Sequence, residues 1–342
     1  MEKEALSKWG MLRLNLVPGD FWRIRGKQAD APFTRERFIG DAALRLIHTQ
    51  NNDGGWEWNN PDTTPSTGVP SPANTIGVTA QGMLDAYCKL GYRSFMQVCT
   101  HAYNLMVTNS ASPDPSKHRI RGPDITFLAL LSQVLADQQY SSFARTRWQS
   151  AKTEFGAGTA TGFARYIRDI RKSQHLPAII SWDINLYVQG LLALQEADPG
   201  GEYEAEAKDM AEVIYSSLYV TPVDFDMNGH NQSEYWLGIT GALEAFVTTG
   251  LYPRLVQDLT DALENGQQLD GHWIGVGDGS DNQTTAYAVM ALLKAAREAP
   301  VELAINCLMT KQLDKGGFEY DTGTENTEVT SEVIQAFYHS QN

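Results

Sequence analysis

Three stretches, Gln50-Asn-Asn-Asp-Gly-Gly-Trp56, Gln267-Gln-Leu-Asp-Gly-His-Trp273 and Gln312-Leu-Asp-Lys-Gly-Gly-Phe318, share the pattern Gln-x3-Gly-x-aromatic. Each follows a segment with one apolar face and precedes one that is apolar on most sides. The pattern suits a junction between two helices. The Gln amide can satisfy backbone groups left over at a helix end, the Gly turns the chain, and the ring packs over the join.

Outward from these junctions, apolar residues recur at three- and four-residue spacing, and long alternating runs are missing, which predicts an all-α chain. Six segments rich in Ala, Gly and Thr begin at Asn74, Asp124, Asp183, Gln232, Asp281 and Asn326. Their apolar character runs nearly all round, so they are expected to be buried as inner helices. Six amphipathic segments alternate with them as outer helices, near 35–49, 92–106, 140–170 (with a break), 203–218, 252–265 and 301–311. The alternation repeats six times at about 45 to 60 residues, the mark of an array of helix pairs. Buried inner members suit a closed ring better than an open solenoid, whose end repeats need polar caps. The expectation is a single (α/α)6 toroid over residues 34–342, preceded by an N-terminal arm, 1–33, with Trp9, Phe21 and Trp22 among basic residues.

The three junctions closely resemble the Gln–Trp repeat of squalene cyclases and other terpenoid cyclases, and the segment Ser280-DNQTTAYAVMALL resembles the inner helix that follows such a repeat. Protein prenyltransferase beta subunits share the same toroid. The resemblance implies an acid-initiated cyclase that binds an isoprenoid in the central funnel, a lyase or isomerase. In that family an Asp-x-Asp-Asp motif followed by Thr-Ala opens an inner helix, and the pocket usually lies between two toroids. Here Asp281-Asn-Gln-Thr and Asp183-Ile-Asn-Leu keep only the first carboxylate, and the chain supplies one toroid.

Inner helices that begin at one end of a ring would bring their positive dipole ends and loops to one mouth. Asp183, Asp226 and Asp281 are the candidate proton donors there, since one raised pKa among crowded carboxylates makes a general acid. Trp56, Trp58, Trp182, Tyr235, Trp236 and Tyr287 are the candidate substrate-binding rings, with Arg119 and Arg121 as cationic contacts. The plainer reading of Asp124, Asp183, Asp281 and Glu325 is helix capping. Asp224-Phe-Asp226-Met-Asn228-Gly is the first half of a calcium loop, or an ordinary Asx-rich turn. The same acids and rings would equally suit a polysaccharide lyase or glycoside hydrolase working in one funnel, Arg119 and Arg121 then meeting uronates. A non-catalytic binding toroid is the third possibility.

The 342 residues include 42% hydrophobic and 20% charged side chains, the composition of a globular protein with a core. Twenty-seven Lys and Arg against 41 Asp and Glu give a net charge of −14, which disfavours nucleic acid and anionic membrane as partners. Cys88, Cys99 and Cys307 are too few for a disulfide framework or a Cys-rich zinc site. No stretch reaches the length of a membrane span and no obligate protein partner is visible, so a small molecule or oligosaccharide is the expected partner. Charges occupy the place of a signal peptide's apolar run, and location stays open between the cytoplasm and secretion with the signal removed.

Overall fold

A computed structural model describes residues 34–59, 70–219, 232–275, 281–320 and 324–341. The predicted arm at 1–33 lies outside them. Fourteen α-helices account for most of these residues, with one two-stranded ribbon of β1 (Phe318–Glu319) and β2 (Glu325–Asn326). Chain contacts divide the protein into two compact units, Met1–His118 with Leu308–Asn342, and Arg119–Cys307. No helix among the described residues is long and apolar enough to cross a membrane.

In the first unit, α1 (Arg35–Thr49), α2 (Ala73–Leu90), α3 (Arg93–Ser110) and the short α4 (Pro115–His118) come from the N-terminal part, and α14 (Thr327–His339) from the C-terminus. The last helix, α14, packs against α2 and α1. The end of the repeat series thus meets its beginning, and neither needs a polar cap.

The second unit begins with α5 (Gly122–Leu135), α6 (Gln138–Phe155), α7 (Ala160–Ser173) and α8 (Ile180–Ala197). It continues with α9 (Tyr203–Tyr219), α10 (Gln232–Thr249), α11 (Pro253–Gly266), α12 (Asn282–Lys294) and α13 (Glu298–Lys311), which runs into the first unit. The apolar helices α5, α8, α10 and α12 pack in that order, each against the next. Burial separates the two helix types: ten of the 13 residues of α12 are buried, against four of the 14 of α11. The expected break in the third outer segment is the turn between α6 and α7, where Ala157 and Gly158 adopt positive φ.

The three junctions are built alike. Gln50 Nε2 donates to Gly54 O (2.8 Å) and Val98 O (3.2 Å), Gln267 Nε2 to Gly271 O (3.0 Å) and Pro300 O (2.8 Å), and Gln312 Nε2 to Gly316 O (2.9 Å) and Phe38 O (2.9 Å). Each amide therefore ties its own loop to another amphipathic helix or its first turn. The glycines sit at φ near +100°, and a Cβ there would meet a backbone oxygen of His101, Leu303 or Asp41 at 2.3–2.5 Å. Trp56 and Trp273 are fully buried, their Nε1 groups donating to Leu46 O (2.8 Å) and Leu263 O (2.9 Å) at the end of the preceding helix. Ring burial of this kind contributes roughly 2–3 kcal/mol each. Trp56, a candidate substrate platform from sequence, is a core residue with no ring face left for a ligand.

Two charged features of the first unit were not expected. Arg45 on α1 makes a two-pronged ion pair with Glu325, Nε to Oε1 at 2.6 Å and Nη2 to Oε2 at 3.0 Å, with both side chains largely buried. Asp85 on α2 is buried, its Oδ2 without a hydrogen-bond partner among the described residues, and His339 Nε2 lies 3.8 Å away. Burial pushes its carboxyl well above the ordinary value. A folded state that holds the proton more tightly than the unfolded chain loses stability as pH rises from the unfolded value through the folded one, about 1.4 kcal/mol per unit. Asp85→Asn is therefore expected to raise the melting temperature at pH 8, with little change at pH 4. Melting curves across that range check it, and equal shifts at both ends would disprove the account.

Candidate functional site

The second unit assembles a charged cluster where α5, α7 and α8 come together. Close backbone approach sets α8 in place. A Cβ on Gly122 of α5 would strike the Leu186 backbone at 2.2 Å, and one on Gly241 of α10 would strike Trp182 Cα at 2.4 Å. Only glycine admits α8 this deeply between its neighbours. Ser181 Oγ donates to Gly238 O at 2.6 Å and fixes the rotation of its first turn.

Asp183 lies in that first turn. Arg171, from the last turn of α7, donates Nε to its Oδ2, the one Asp183 oxygen with a partner among the described residues. Burial raises the Asp183 carboxyl above its ordinary value, and the guanidiniums of Arg171 and Arg119 oppose that rise. Arg119 precedes α5; its guanidinium carbon lies 5.9 Å from the Phe155 ring and 6.0 Å from that of Tyr166, and Nη1 donates to Tyr166 Oη at 3.4 Å. Its Nε is buried and has no hydrogen-bond partner among the described residues. Arg121 donates Nη1 to Arg119 O at 3.2 Å. Tyr187, one turn after Asp183, donates its hydroxyl to Ile120 O at 3.0 Å, and burial pushes its pKa up to about 12. Arg119, Arg121, Asp124 and Asp183 all act electrostatically on Tyr187, so these five groups share one neighbourhood.

The next side of α8, roughly 100° round the helix, is apolar. Trp182 meets Tyr287 of α12 edge to face, centroids 5.5 Å apart, within a cluster that includes Ile179, Leu186, Leu237 and Met290. The Trp182 Nε1 is buried without a partner among the described residues. A third side is polar. Asn185 Nδ2 donates to Glu244 Oε2 at 2.7 Å, and Gln189 bonds both Asn185 Oδ1 (2.9 Å) and Thr248 Oγ1 (3.0 Å). Burial raises the Glu244 carboxyl above its ordinary value. Sequence reasoning passed over this ladder, although polar residues spaced by four on two apolar helices were its signal.

The other candidates are placed as follows. Asp281 is the N-cap of α12, Oδ1 accepting from Thr284 N (3.0 Å) and Oδ2 from Thr284 Oγ1 (2.9 Å). Asp124 closes a capping box by accepting from Arg121 N at 2.8 Å. Of the four acids read as possible caps, Asp183 and Glu325 instead pair with arginines. Tyr235 and Trp236 meet edge to face at 4.9 Å, and the Trp236 ring lies so close over Gly266 that a Cβ there would touch it at 2.1 Å. Trp58 is exposed and belongs to the first unit, its carbonyl accepting from Thr327 N. Asp224, Asp226 and Asn228, the half calcium loop, lie outside the described residues.

No family model and no curated protein matches the sequence. Solved structures do resemble it. A possible member of the GH105 family from Salmonella enterica matches with a TM-score of 0.59 and 13% identity over 91% of this chain and 95% of its own. The GH76A α-1,6-mannanase of Salegentibacter sp. matches at 0.56 and 12%, covering 90% and 99%. The type II terpene cyclase MstE from Scytonema, in complex with its substrate geranylgeranyl dihydroxybenzoate, matches at 0.57 and 14%, covering 90% and 97%. These are α/α toroids. The fold is the α/α toroid. The toroid fold is shared by proteins of different chemistry, so the likeness does not by itself assign a reaction.

Proposed function

We propose that the chain is an enzyme that binds a prenylated, anionic substrate and initiates its cyclisation by proton transfer from Asp183. The observation that supports this most is the pairing of two opposite environments on neighbouring sides of α8. Arg119, Arg121 and Arg171 outnumber the two acids beside them, Asp124 and Asp183, a cationic surplus suited to a carboxylate head group. The aromatic and aliphatic cluster around Trp182 suits an isoprenoid chain. MstE, whose substrate joins those two parts in one molecule, is almost wholly covered by this chain, so a single toroid is enough for a type II terpene cyclase.

In this reading, burial favours the protonated form of Asp183, and the guanidiniums of Arg171 and Arg119 oppose part of that rise, so the proton is held and still transferable. The proton passes from its carboxyl to an alkene carbon. The cation left on the more substituted carbon is attacked by the next double bond, and loss of a proton from the cyclised cation ends the sequence. Trp182 and Tyr287 stabilise the travelling charge through their ring faces.

The arginine surplus also favours a second reading, a glycoside hydrolase or lyase acting on uronates, and the similar structures include a glycan-acting enzyme, the GH76A mannanase. Thermal-shift measurements with farnesyl and geranylgeranyl hydroxybenzoates against neutral and uronate oligosaccharides separate the two. A prenyl benzoate is expected to raise the melting temperature, and less so in Arg119→Gln. A shift with uronates alone would replace the cyclase reading with the carbohydrate one.

A further inference from the structure

The junction at Gln267–Trp273 differs from its two counterparts in a way the shared architecture does not require. In each, the residue after the turning glycine faces a side chain that either stands one helical turn beyond the backbone oxygen that glycine approaches or is bonded to the residue that does. In the first, Gly55 faces Leu105, four residues after His101, and an added Cβ would meet the Leu105 side chain at 2.8 Å. In the third, Gly317 faces Glu325, which is held by Arg45, four residues after Asp41. In the second, Gly271 presses against Leu303 O, and the residues in these two places are His272 and Cys307. Positions four apart share one face of a helix, so Cys307 projects where the junction loop lies against α13.

Asp270 completes the group. One ligand atom each from Asp270, His272 and Cys307 lies within 4.8 Å of the others, and His272 Nδ1 is 2.6 Å from Asp270 Oδ1. Cys307 is buried, His272 is partly covered and Asp270 is exposed. The arrangement therefore has a closed floor and an open side.

We propose that Asp270, His272 and Cys307 form a binding site for a zinc-type divalent cation that ties the junction loop to α13, water from the open side completing a tetrahedron. A thiolate, an imidazole and a carboxylate together select a borderline-soft ion over magnesium or calcium. With metal–ligand bonds of about 2.0–2.3 Å, tetrahedral ligands stand roughly 3.2–3.8 Å apart, so closure needs movements of about 1 Å. The cation displaces the thiol proton and takes the place of the Asp270–His272 hydrogen bond. The site lies in the second unit and uses none of the residues assigned to proton transfer.

The test is cobalt(II) titration of the full chain carrying Cys88→Ser, which removes the one exposed thiol. Saturable near-ultraviolet thiolate-to-cobalt absorption and a visible tetrahedral band are expected. The thiolate band should vanish in Cys307→Ser, and affinity should fall at least about tenfold in His272→Gln, whose partly exposed side chain makes it the variant safer for folding. Zinc should compete with cobalt and raise the melting temperature of the parent but not of Cys307→Ser. No thiolate band, or a band and affinity unchanged in both variants, would overturn the proposal.

Discussion

Asp183→Asn is expected to reduce turnover of a cyclisable prenyl substrate by roughly a thousandfold while leaving the protein as stable at neutral pH as the parent, or more so. The two halves of that expectation have one cause. Asp183 is an acid held in a place that disfavours its charge, so a neutral isostere relieves the burial penalty but carries no acidic proton. Arg171 keeps a partner in the variant, because its Nη1 also donates to Gln174 Oε1 at 3.0 Å. The pH profile gives an independent check. The protonated form is the active one, so activity should fall as pH rises through a value above the ordinary one for an Asp carboxyl. Full activity in Asp183→Asn would end the assignment. Loss of activity together with a large drop in melting temperature would mark Asp183 as a structural partner of Arg171 instead.

Gly316→Ala is expected to destabilise the protein by about 3 kcal/mol or more, against about 1 kcal/mol for Gly91→Ala. Both glycines have positive φ, +98° and +72°. A Cβ at Gly91 meets nothing within 4 Å, so that variant bears only the left-handed backbone strain. At Gly316 a Cβ would lie 2.4 Å from the backbone oxygen of Asp41, which cannot rotate away as a side chain can. Relief of that clash must lift the loop off α1 and stretch the Gln312 bonds to Phe38 O and Gly316 O. Urea unfolding of the two variants, compared through their midpoints at constant slope, gives the difference. Equal effects would mean that the junction yields and does not lock the repeats together.

Much of the architecture was legible in the chain. The spacing of apolar residues marked each inner and outer helix, and the Gln-x3-Gly-x-aromatic junctions were read for their structural role, since every group in that motif acts on backbone within its own loop or one helix away. The site was legible only in part. Asp124, Asp183 and Asp281 have the same local signature, an acid at the start of an apolar helix. Two of them bond to backbone groups within three residues. Asp183 meets an arginine from another helix. Periodicity could not separate them.

The sequence by itself determined the helical periods, the repeat and the polar residues that open each inner helix, because these follow from the 3.6-residue turn and from chemistry between near neighbours. Only the tertiary structure decided what faces each of those residues. Arg171 reaches Asp183 across the bend from α7 to α8, Arg45 reaches Glu325 from the far end of the chain, and His272 meets Cys307 across the turn of a junction. A helix's own sequence records which of its sides is apolar. The identity of the side chain opposite is set by the packing of another helix, and that contact decides whether an acid caps, pairs or donates a proton.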